Sequence, residues 1–307
     1  MTLCFFRRGA IWLALILGFV SLALTPAARA QLNWDGQTGA LATPFAYVAS
    51  SESGNVGHPE ISFHYLNGGS VIGNEYQFSF TLGLLKFTEF GFTSSLSSEG
   101  SSPLTGLFQG GYNTFHGKAN IIPENMHGKK WVPAISVGFA ARFGVERVAR
   151  SPLAGDLELS TLGGQSTNNV DFYVVATKTV TQIKKLPVVL NVGYKRTNAQ
   201  IMGVAGNAPD YANTAFGSIA FVVTAPAKTA VIFGAEALQQ PHYLEGLYTS
   251  GVGGPTIPTT LVYFVRVVPN KMPFNVDFAI GQFAGQITPG VDLKARNQAA
   301  VGLSYRF

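Results

Sequence analysis

The chain ends in QAAVGLSYRF, residues 298–307, and this stretch decides the fold. In an extended strand, successive side chains point to opposite faces. One face of this stretch is apolar up to the terminal residue and consists of Ala299, Val301, Leu303, Tyr305 and Phe307. The other face is small or polar and consists of Gln298, Ala300, Gly302, Ser304 and Arg306. The pattern predicts a strand that has apolar surroundings on one side and polar surroundings on the other.

The same ten residues resemble the closing strand of Gram-negative outer-membrane barrels. The assembly machinery of those barrels reads a C-terminal Phe preceded at alternate positions by aromatic and apolar residues, and Leu303, Tyr305 and Phe307 match that pattern. The resemblance implies that the barrel-assembly machinery binds this strand and that Phe307 ends in the periplasm. A single segment is a weak signal for a barrel, so the rest of the chain has to decide.

The composition favours a membrane protein that crosses the bilayer with strands. Only 12% of the 307 residues are charged, against about 25% in ordinary soluble domains. Beyond residue 30, no apolar run approaches the roughly 20 residues that a transmembrane helix requires. An apolar chain without such a run predicts β-strands.

Residues 1–30 have the features of a secretory signal peptide. Two arginines precede an apolar core over residues 10–24, and Ala28-Arg29-Ala30 forms a cleavage site before Gln31. The alternative is an uncleaved anchor, which this core is too short to form.

Cleavage removes the only Cys and three of the 21 basic residues, so 21 − 3 = 18 basic residues remain against 16 acidic ones. The mature chain therefore has no disulfide or thiolate chemistry, and no basic stripe that would bind nucleic acid. We expect no nucleic-acid partner, no cofactor and no metal site.

From residue 59 to the end, alternating apolar segments are separated by turn residues. Most have about the 9–11 residues that a tilted strand needs to cross a bilayer. The pattern predicts an all-β fold, a single antiparallel transmembrane β-barrel of about twelve strands, within a range of ten to fourteen. The predicted strands are Glu60–Leu66, Asn74–Leu84, Lys86–Ser94, Tyr112–Ile121, Trp131–Phe143, Val170–Thr179, Val188–Thr197, Ala215–Thr224, Thr229–Leu238, Thr260–Val268, Phe274–Phe283 and Gln298–Phe307.

The connections between these segments alternate between short and long. If Phe307 ends in the periplasm, the short connections are periplasmic and the long ones external, as in bacterial outer-membrane barrels. The connection at residues 67–73 breaks the pattern, and its Asn-Gly-Gly sequence predicts a tight hairpin.

Parity along the strands separates two kinds of side chain. Four rows predicted to face lipid lack charge, those of Asn74–Leu84, Trp131–Phe143, Thr260–Val268 and Phe274–Phe283. An Arg or Lys facing the middle of the bilayer costs about 2–4 kcal/mol. The opposite rows are polar and predict an interior in which acids and bases are mixed. The candidate lumen-lining residues are His64, Glu89, His116, Lys118, Arg142, Lys195, Glu236, Arg266, Asp277 and Arg306.

Residues 31–58 stand apart from the barrel pattern. Pro44 lies inside the one strand-like stretch of this segment, and a central Pro removes a donor from a strand ladder. We interpret the segment as either a plug inside the barrel or a periplasmic piece.

Several segments together resemble a family of uncharacterised proteins, a domain of unknown function expected in proteobacterial outer membranes. The resemblance implies an outer-membrane location and a barrel, and it carries over no catalytic residue. The stretch GALATPFAY is also similar to the first strand of barrels associated with exopolysaccharide export. The segments that carry the family resemblance are NWDGQTGALATPFAY, ISFHYLNGG, NTFHGKANIIPEN, WVPAISVGF, VVATKTVTQ, GNAPDY, IFGAEALQQP, IPTTLVYFVRVVP and ITPGVDLKAR.

Three functions are compatible with this sequence. The first is a passive pore or transporter for small solutes, with outer-membrane lipid and lipopolysaccharide around the barrel. The second is a non-conducting structural or envelope-assembly barrel that serves polysaccharide or lipid handling. The third is a hydrolase at the barrel rim, for which His64, His116 and Glu89 offer a base and an orienting acid but no nucleophile. We predict that the protein is not an enzyme.

Overall fold

The computed structural model describes most of the chain that follows the predicted signal peptide. Residues 1–30, on which the signal peptide was predicted, lie outside the described residues. The described residues are 31–49, 56–98, 100–102, 110–144, 148–151, 155–158, 168–181, 186–199, 201–203, 207–241, 259–282, 284–288 and 291–307.

The fold is a closed barrel of twelve antiparallel strands. Two short hairpins, at residues 148–158 and 284–295, lie outside the barrel sheet. The strands are β1 (Glu60–Asn67), β2 (Asn74–Leu84), β3 (Thr88–Ser97), β4 (Gly111–Ile122), β5 (Ala134–Gly144), β6 (Val148–Ser151), β7 (Gly155–Glu158), β8 (Asn169–Val180), β9 (Val188–Ala199), β10 (Asn207–Thr224), β11 (Ala230–Leu238), β12 (Thr260–Val268), β13 (Phe274–Gln282), β14 (Ala284–Thr288), β15 (Val291–Ala295) and β16 (Gln298–Arg306).

Helical structure among the described residues is confined to short connections. One helical turn, α1, spans Gly69–Ile72, and single 3₁₀ turns span Met126–Gly128, Ile201–Gly203 and Pro226–Lys228. None of these described segments has the length or the apolar character of a membrane-crossing helix.

The closing strand β16 joins the two ends of the sheet. It pairs with β1, where Arg306 lies opposite Glu60, and with β13, where Tyr305 lies opposite Phe274. Since β1 also pairs with β2, the sheet has no free edge and every strand has two neighbours. The prediction of a twelve-stranded antiparallel barrel is confirmed.

Strand boundaries differ from the prediction where the local backbone overrides the apolar pattern. β3 begins at Thr88 instead of Lys86, because Leu85 and Lys86 have φ values of 55° and 62° and form the preceding turn. β5 begins at Ala134 instead of Trp131, directly after Pro133, which has no N–H to donate to a ladder.

The main remaining differences between the predicted and the observed elements lie at the end of the barrel that carries the long connections, called here the long-loop end. β10 begins at Asn207 instead of Ala215 and carries a register shift against β9. Its first residues were not predicted as strand because they lack the alternating apolar pattern. The connection at residues 67–73 joins β1 and β2 in a hairpin, as predicted. It is not a tight turn, because it contains the helical turn α1, which places Val71 and Ile72 in buried positions. The two small hairpins were not predicted because their strands have only four or five residues.

The barrel has an apolar outer face and a polar inner face. The outward row of β13 includes Phe278 and Ile280, which are more than half exposed, whereas Asn275 and Asp277 of the inward row are buried. Among the barrel side chains that the structure describes, Lys178 and Arg196 are the charged residues on the outward rows, and each lies near the end of its strand. The middle of the outer face therefore presents only uncharged side chains.

The charge-free outer belt predicts that the stability cost of an introduced charge depends steeply on its position along the strand. Val301→Arg in the middle of β16 should lower the free energy of unfolding in lipid vesicles by about 2–4 kcal/mol, because the guanidinium would face hydrocarbon. Leu85→Arg at the barrel end should cost about 0–1 kcal/mol. Urea unfolding in vesicles, with Val301→Ala as the size control, measures both; equal costs at the two positions would contradict a lipid-facing belt.

Candidate functional site

The N-terminal residues 31–49, called here the lumen segment, lie inside the barrel. Fifteen of these nineteen residues are buried and none is exposed. Trp34 contacts His64 of β1, and the polar contacts of the segment reach inward side chains of β2, β3, β4, β5, β8, β9, β10, β11 and β12. A segment that touches ten strands of a closed barrel can only occupy its lumen.

A carboxylate from the barrel wall binds one stretch of the segment backbone. Glu236 of β11 accepts hydrogen bonds from the backbone N–H groups of Leu41, Ala42 and Thr43 at 2.7–3.1 Å, and from the Thr43 hydroxyl at 2.7 Å. No cation lies within 4 Å of this carboxylate among the described ion pairs. Its charge is therefore stabilised by the donors of the lumen segment.

Cations of the wall bind the carbonyl groups of the same segment. Lys118 Nζ donates to the carbonyl oxygens of Thr38 and Phe45 at 2.8 and 2.9 Å. Arg266 donates to the carbonyl oxygens of Gly39 and Ala40 at 2.9 and 3.3 Å. Backbone groups of an irregular buried segment have to find partners, and here the charged wall supplies them.

Each of these cations also has an acidic partner. Lys118 pairs with Glu89 at 2.9 Å, and both side chains are fully buried. Arg266 holds Asp277 with two parallel hydrogen bonds of 2.6 and 3.0 Å. Glu89 in turn accepts hydrogen bonds from the backbone N–H and the hydroxyl of Thr38. Wall and segment thus form one connected network of hydrogen bonds.

Asp35 attaches the turn of the lumen segment to the opposite part of the wall. Arg142 of β5 donates to its two carboxylate oxygens at 2.6 and 3.1 Å. The same guanidinium lies 3.1 Å from Asp171 of β8, which also lies 3.4 Å from Lys195 of β9. The four residues join three strands to the segment.

Gly36 follows Asp35 in a position that only glycine fits. Its φ of +84° lies in the left-handed region. A Cβ atom there would lie 2.5 Å from Thr93 Oγ1 and 2.9 Å from Ser79 Cβ. The close approach of this residue to the wall therefore depends on the absence of a side chain.

The ten residues predicted to line the lumen all lie on inward rows. Nine are at most 3% exposed, and Lys195 is half-buried. The structure joins most of them through the lumen segment, and it pairs Arg306 with Glu60 at 3.7 Å. Leu303 lies on the outward row, and the rings of Tyr305 and Phe307 pack edge to face, 4.9 Å apart.

The two buried histidines do not assemble a hydrolytic site in the described part of the chain. His116 lies 3.3 Å from the Thr81 hydroxyl, which donates to the carbonyl oxygen of Gly36. His64 lies against Trp34, with ring centroids 6.0 Å apart. Neither imidazole is within reach of both a free nucleophile and an orienting acid, as a hydrolase requires.

Sequence reasoning missed Asp35, Gly36 and Asp171. The inward parity of Asp171 on β8 could have identified it as a lumen residue. Nothing in the sequence pairs Asp35 with a residue 107 positions away, because the lumen segment has no periodic pattern.

One arc of the wall has buried polar groups that lack partners. Ser304 of β16 lies opposite both Ser62 of β1 and Asn275 of β13, and directly opposite residues on one face have Cβ atoms about 5 Å apart. Their side-chain polar atoms and both ring nitrogens of His64 are buried without a hydrogen-bond partner. These four residues, called here the polar arc, could accept and donate hydrogen bonds to water or to a small polar solute.

Comparisons with known proteins identify a family. The sequence profile described as "Protein of unknown function (DUF3034)" matches residues 112–271, just over half of the chain. No curated protein matches the sequence.

Among solved structures, the chain is similar to a KdgM porin (11% identity, TM-score 0.43, covering 81% of this chain and 99% of that chain). It is similar to a NanC porin (10% identity, TM-score 0.45, 81% and 100%) and to OmpT, an outer-membrane protein of Vibrio cholerae (10% identity, TM-score 0.34, 84% and 99%). Likeness at this level carries no conclusion about function.

The contacts of Glu236 predict a measurable effect on the lumen segment. In Glu236→Gln, the amide NH₂ would face the N–H donors of residues 41–43, and each buried donor left unsatisfied costs about 1–3 kcal/mol. Hydrogen exchange of these amides should accelerate about 5- to 150-fold, and mass spectrometry of the folded protein measures this rate. Glu75→Gln is the matched control, since Glu75 is a buried wall carboxylate that accepts a bond from Ser97; equal acceleration in both variants would contradict the assignment.

Proposed function

Because the chain belongs to the DUF3034 family of proteins of unknown function, its activity has to be inferred from its geometry, and we propose that it is an outer-membrane β-barrel whose resting state is closed by the lumen segment. The observation that carries the proposal is the filled lumen. Residues 31–49 contact ten of the twelve strands, and their backbone is bound by Glu236, Lys118 and Arg266.

Two features support the outer-membrane location. The outer face carries large exposed apolar side chains such as Phe78, Phe172 and Tyr263. The charged side chains that the structure describes on the barrel strands point inward except at strand ends. In a soluble barrel this distribution would expose a continuous apolar belt to water. The barrel-assembly machinery would read the closing strand, and phospholipid and lipopolysaccharide would surround the belt.

The closure has two parts in this proposal. The lumen segment fills the barrel, and α1 covers part of the long-loop end with the buried side chains of Val71 and Ile72. Ser102 donates a backbone hydrogen bond to the carbonyl of Ser70 and ties a long connection to this turn. An open passive pore does not fit this arrangement. The non-conducting barrel, the second of the functions compatible with the sequence, fits it best.

The charged wall residues then have a different role from the one expected of a pore. Lys118, Arg266 and Glu236 bind segment backbone, and Arg142 binds Asp35. Breaking a buried pair by removing one partner is costly because a buried charge is left uncompensated. These side chains therefore hold the segment in place instead of selecting solutes.

Planar-bilayer recording tests the closed state. The wild-type barrel should show little steady conductance, whereas Gly36→Ala should conduct, because the added Cβ would overlap Thr93 and Ser79. The strain of a left-handed backbone at a residue with a Cβ is about 1–2 kcal/mol. This strain alone should raise the fraction of barrels in which the lumen segment is displaced about 5- to 30-fold.

Gly128→Ala is the matched control for this experiment. Gly128 also has a positive φ, of +73°, but a Cβ there would meet nothing within 4 Å. The Gly128→Ala variant should therefore add the backbone strain without affecting the lumen. Its steady conductance should be as low as that of the wild type. A large steady conductance of the folded wild-type protein would overturn the proposal of a closed barrel.

A gated passage is the second candidate function, and the polar arc favours it. The described polar contacts of the lumen segment go mainly to β2–β5 and β8–β12, whereas Asn275 and Ser304 lie on strands for which no such contact is described. Unpaired buried polar groups are costly unless water or a solute satisfies them. Movement of the segment away from this arc would open a path lined by hydroxyl, amide and imidazole groups.

Solute uptake into proteoliposomes tests this path. In the Gly36→Ala background, Asn275→Leu should reduce the swelling rate with glycerol severalfold, because an apolar side chain replaces the amide of the arc. Thr114→Val is the control, since Thr114 Oγ1 is also buried without a partner but lies on β4. Equal effects of the two substitutions would show that the arc is not the route.

A further inference from the structure

The connections at the two ends of the barrel differ in charge. The five short connections, residues 85–87, 123–133, 181–187, 225–229 and 269–273, contain seven lysines and one glutamate, a net charge of +6. The long-loop connections, residues 68–73, 98–110, 145–168, 200–206, 239–259 and 283–297, contain four basic and six acidic residues, a net charge of −2. The positive charge of the connections is therefore concentrated at the end of the barrel that carries the short connections, called here the short-turn end.

The lysines that the structure describes in these connections are exposed. Lys86, Lys228 and Lys271 have φ values of 62°, 58° and 64°, which places them in tight turns between neighbouring strands. Lys129 and Lys130 follow the 3₁₀ turn of the β4–β5 connection, and all five side chains are exposed. We call these five residues the lysine ring, because they lie in four connections around the barrel. Glu124, the one acidic residue of the short connections, is paired with Lys178 at 3.1 Å.

Exposed apolar side chains flank the lysines. Leu85 and Phe87 on either side of Lys86 are 51% and 50% exposed, and Met272 beside Lys271 is 51% exposed. Trp131 is 75% exposed, and Lys129 Nζ lies 6.0 Å from the centre of its ring. Aromatic and aliphatic side chains next to lysines are typical of the boundary between hydrocarbon and headgroups.

We propose that the lysine ring binds the anionic phospholipid headgroups of the leaflet at the short-turn end of the barrel. A Lys ammonium is a compact donor suited to phosphate, and an anionic leaflet attracts basic residues near its surface. The apolar side chains that flank Lys86, Lys129, Lys130 and Lys271 enter the hydrocarbon edge and hold these ammonium groups at the depth of the phosphates. The inference rests on the proposed membrane location and does not depend on whether the lumen is closed.

The placement of the lysines favours lipid over a soluble acidic partner. The five exposed lysines are spread over four connections around the barrel, and a soluble partner would need one contiguous patch. A ring of lipids contacts the whole circumference, and it also covers the exposed Trp131, Phe87 and Met272. Solvated lysines alone would not explain the apolar side chains beside them.

Native mass spectrometry of the detergent-solubilised, folded protein tests the proposal. Each bound phosphatidylglycerol should be retained about fivefold more strongly than phosphatidylcholine by the wild type, since one lysine near an anionic surface contributes a factor of about five. The preference should weaken with added salt, because exposed charges are screened. The variant Lys86→Gln/Lys129→Gln/Lys130→Gln/Lys228→Gln/Lys271→Gln should lose it.

Lys294→Gln/Arg296→Gln removes two exposed cations at the long-loop end and should keep the preference. Heat-modifiability and vesicle insertion of every variant separate the two proposals. A barrel that does not insert into vesicles refutes the membrane location, whereas an inserted barrel without a phosphatidylglycerol preference refutes the lipid site alone. A preference that survives in the five-lysine variant, or polyglutamate that binds the wild type and displaces the lipid, would also overturn the lipid site.

Discussion

The structure depends on hydrogen-bond partners for the backbone polar groups that are buried inside the barrel. The lumen segment is an irregular stretch of backbone surrounded by a sheet whose own hydrogen bonds are already made between strands. Its N–H and carbonyl groups therefore need side-chain partners. The wall supplies a carboxylate for the donors of residues 41–43 and cations for the carbonyl groups of residues 38–40 and 45. The inward charges and the lumen segment therefore stabilise each other.

The barrel was predictable from the sequence because its signal is periodic. The face assignment of residues 298–307 is confirmed by alternating burial along β16, and all twelve predicted strands are present. The resemblance to a family of unknown function is likewise confirmed by the match over residues 112–271. Errors arose where periodicity is absent or overridden, as in the start of β10 and in the helical turn α1.

The site was only partly predictable, for a related physical reason. Parity alone assigns Glu236 and Arg266 to the inner face, but it gives no information about what they bind. Their partners are backbone atoms of residues 39–43, separated from them by almost 200 positions or more. A sequence shows which side chains are chemically able to bind a backbone. It does not show which backbone they bind when the bound segment has no repeating pattern.

The contrast between the inside and the ends of the barrel follows from the same electrostatics. Inside, Lys118 and Arg142 are each matched by a carboxylate within 3.1 Å, because a buried cation without a partner is costly. At the short-turn end, Lys86, Lys228 and Lys271 are solvated, and no such cost forces a carboxylate next to them. Lysines are therefore free to accumulate at this end only because water or an anionic surface can solvate them.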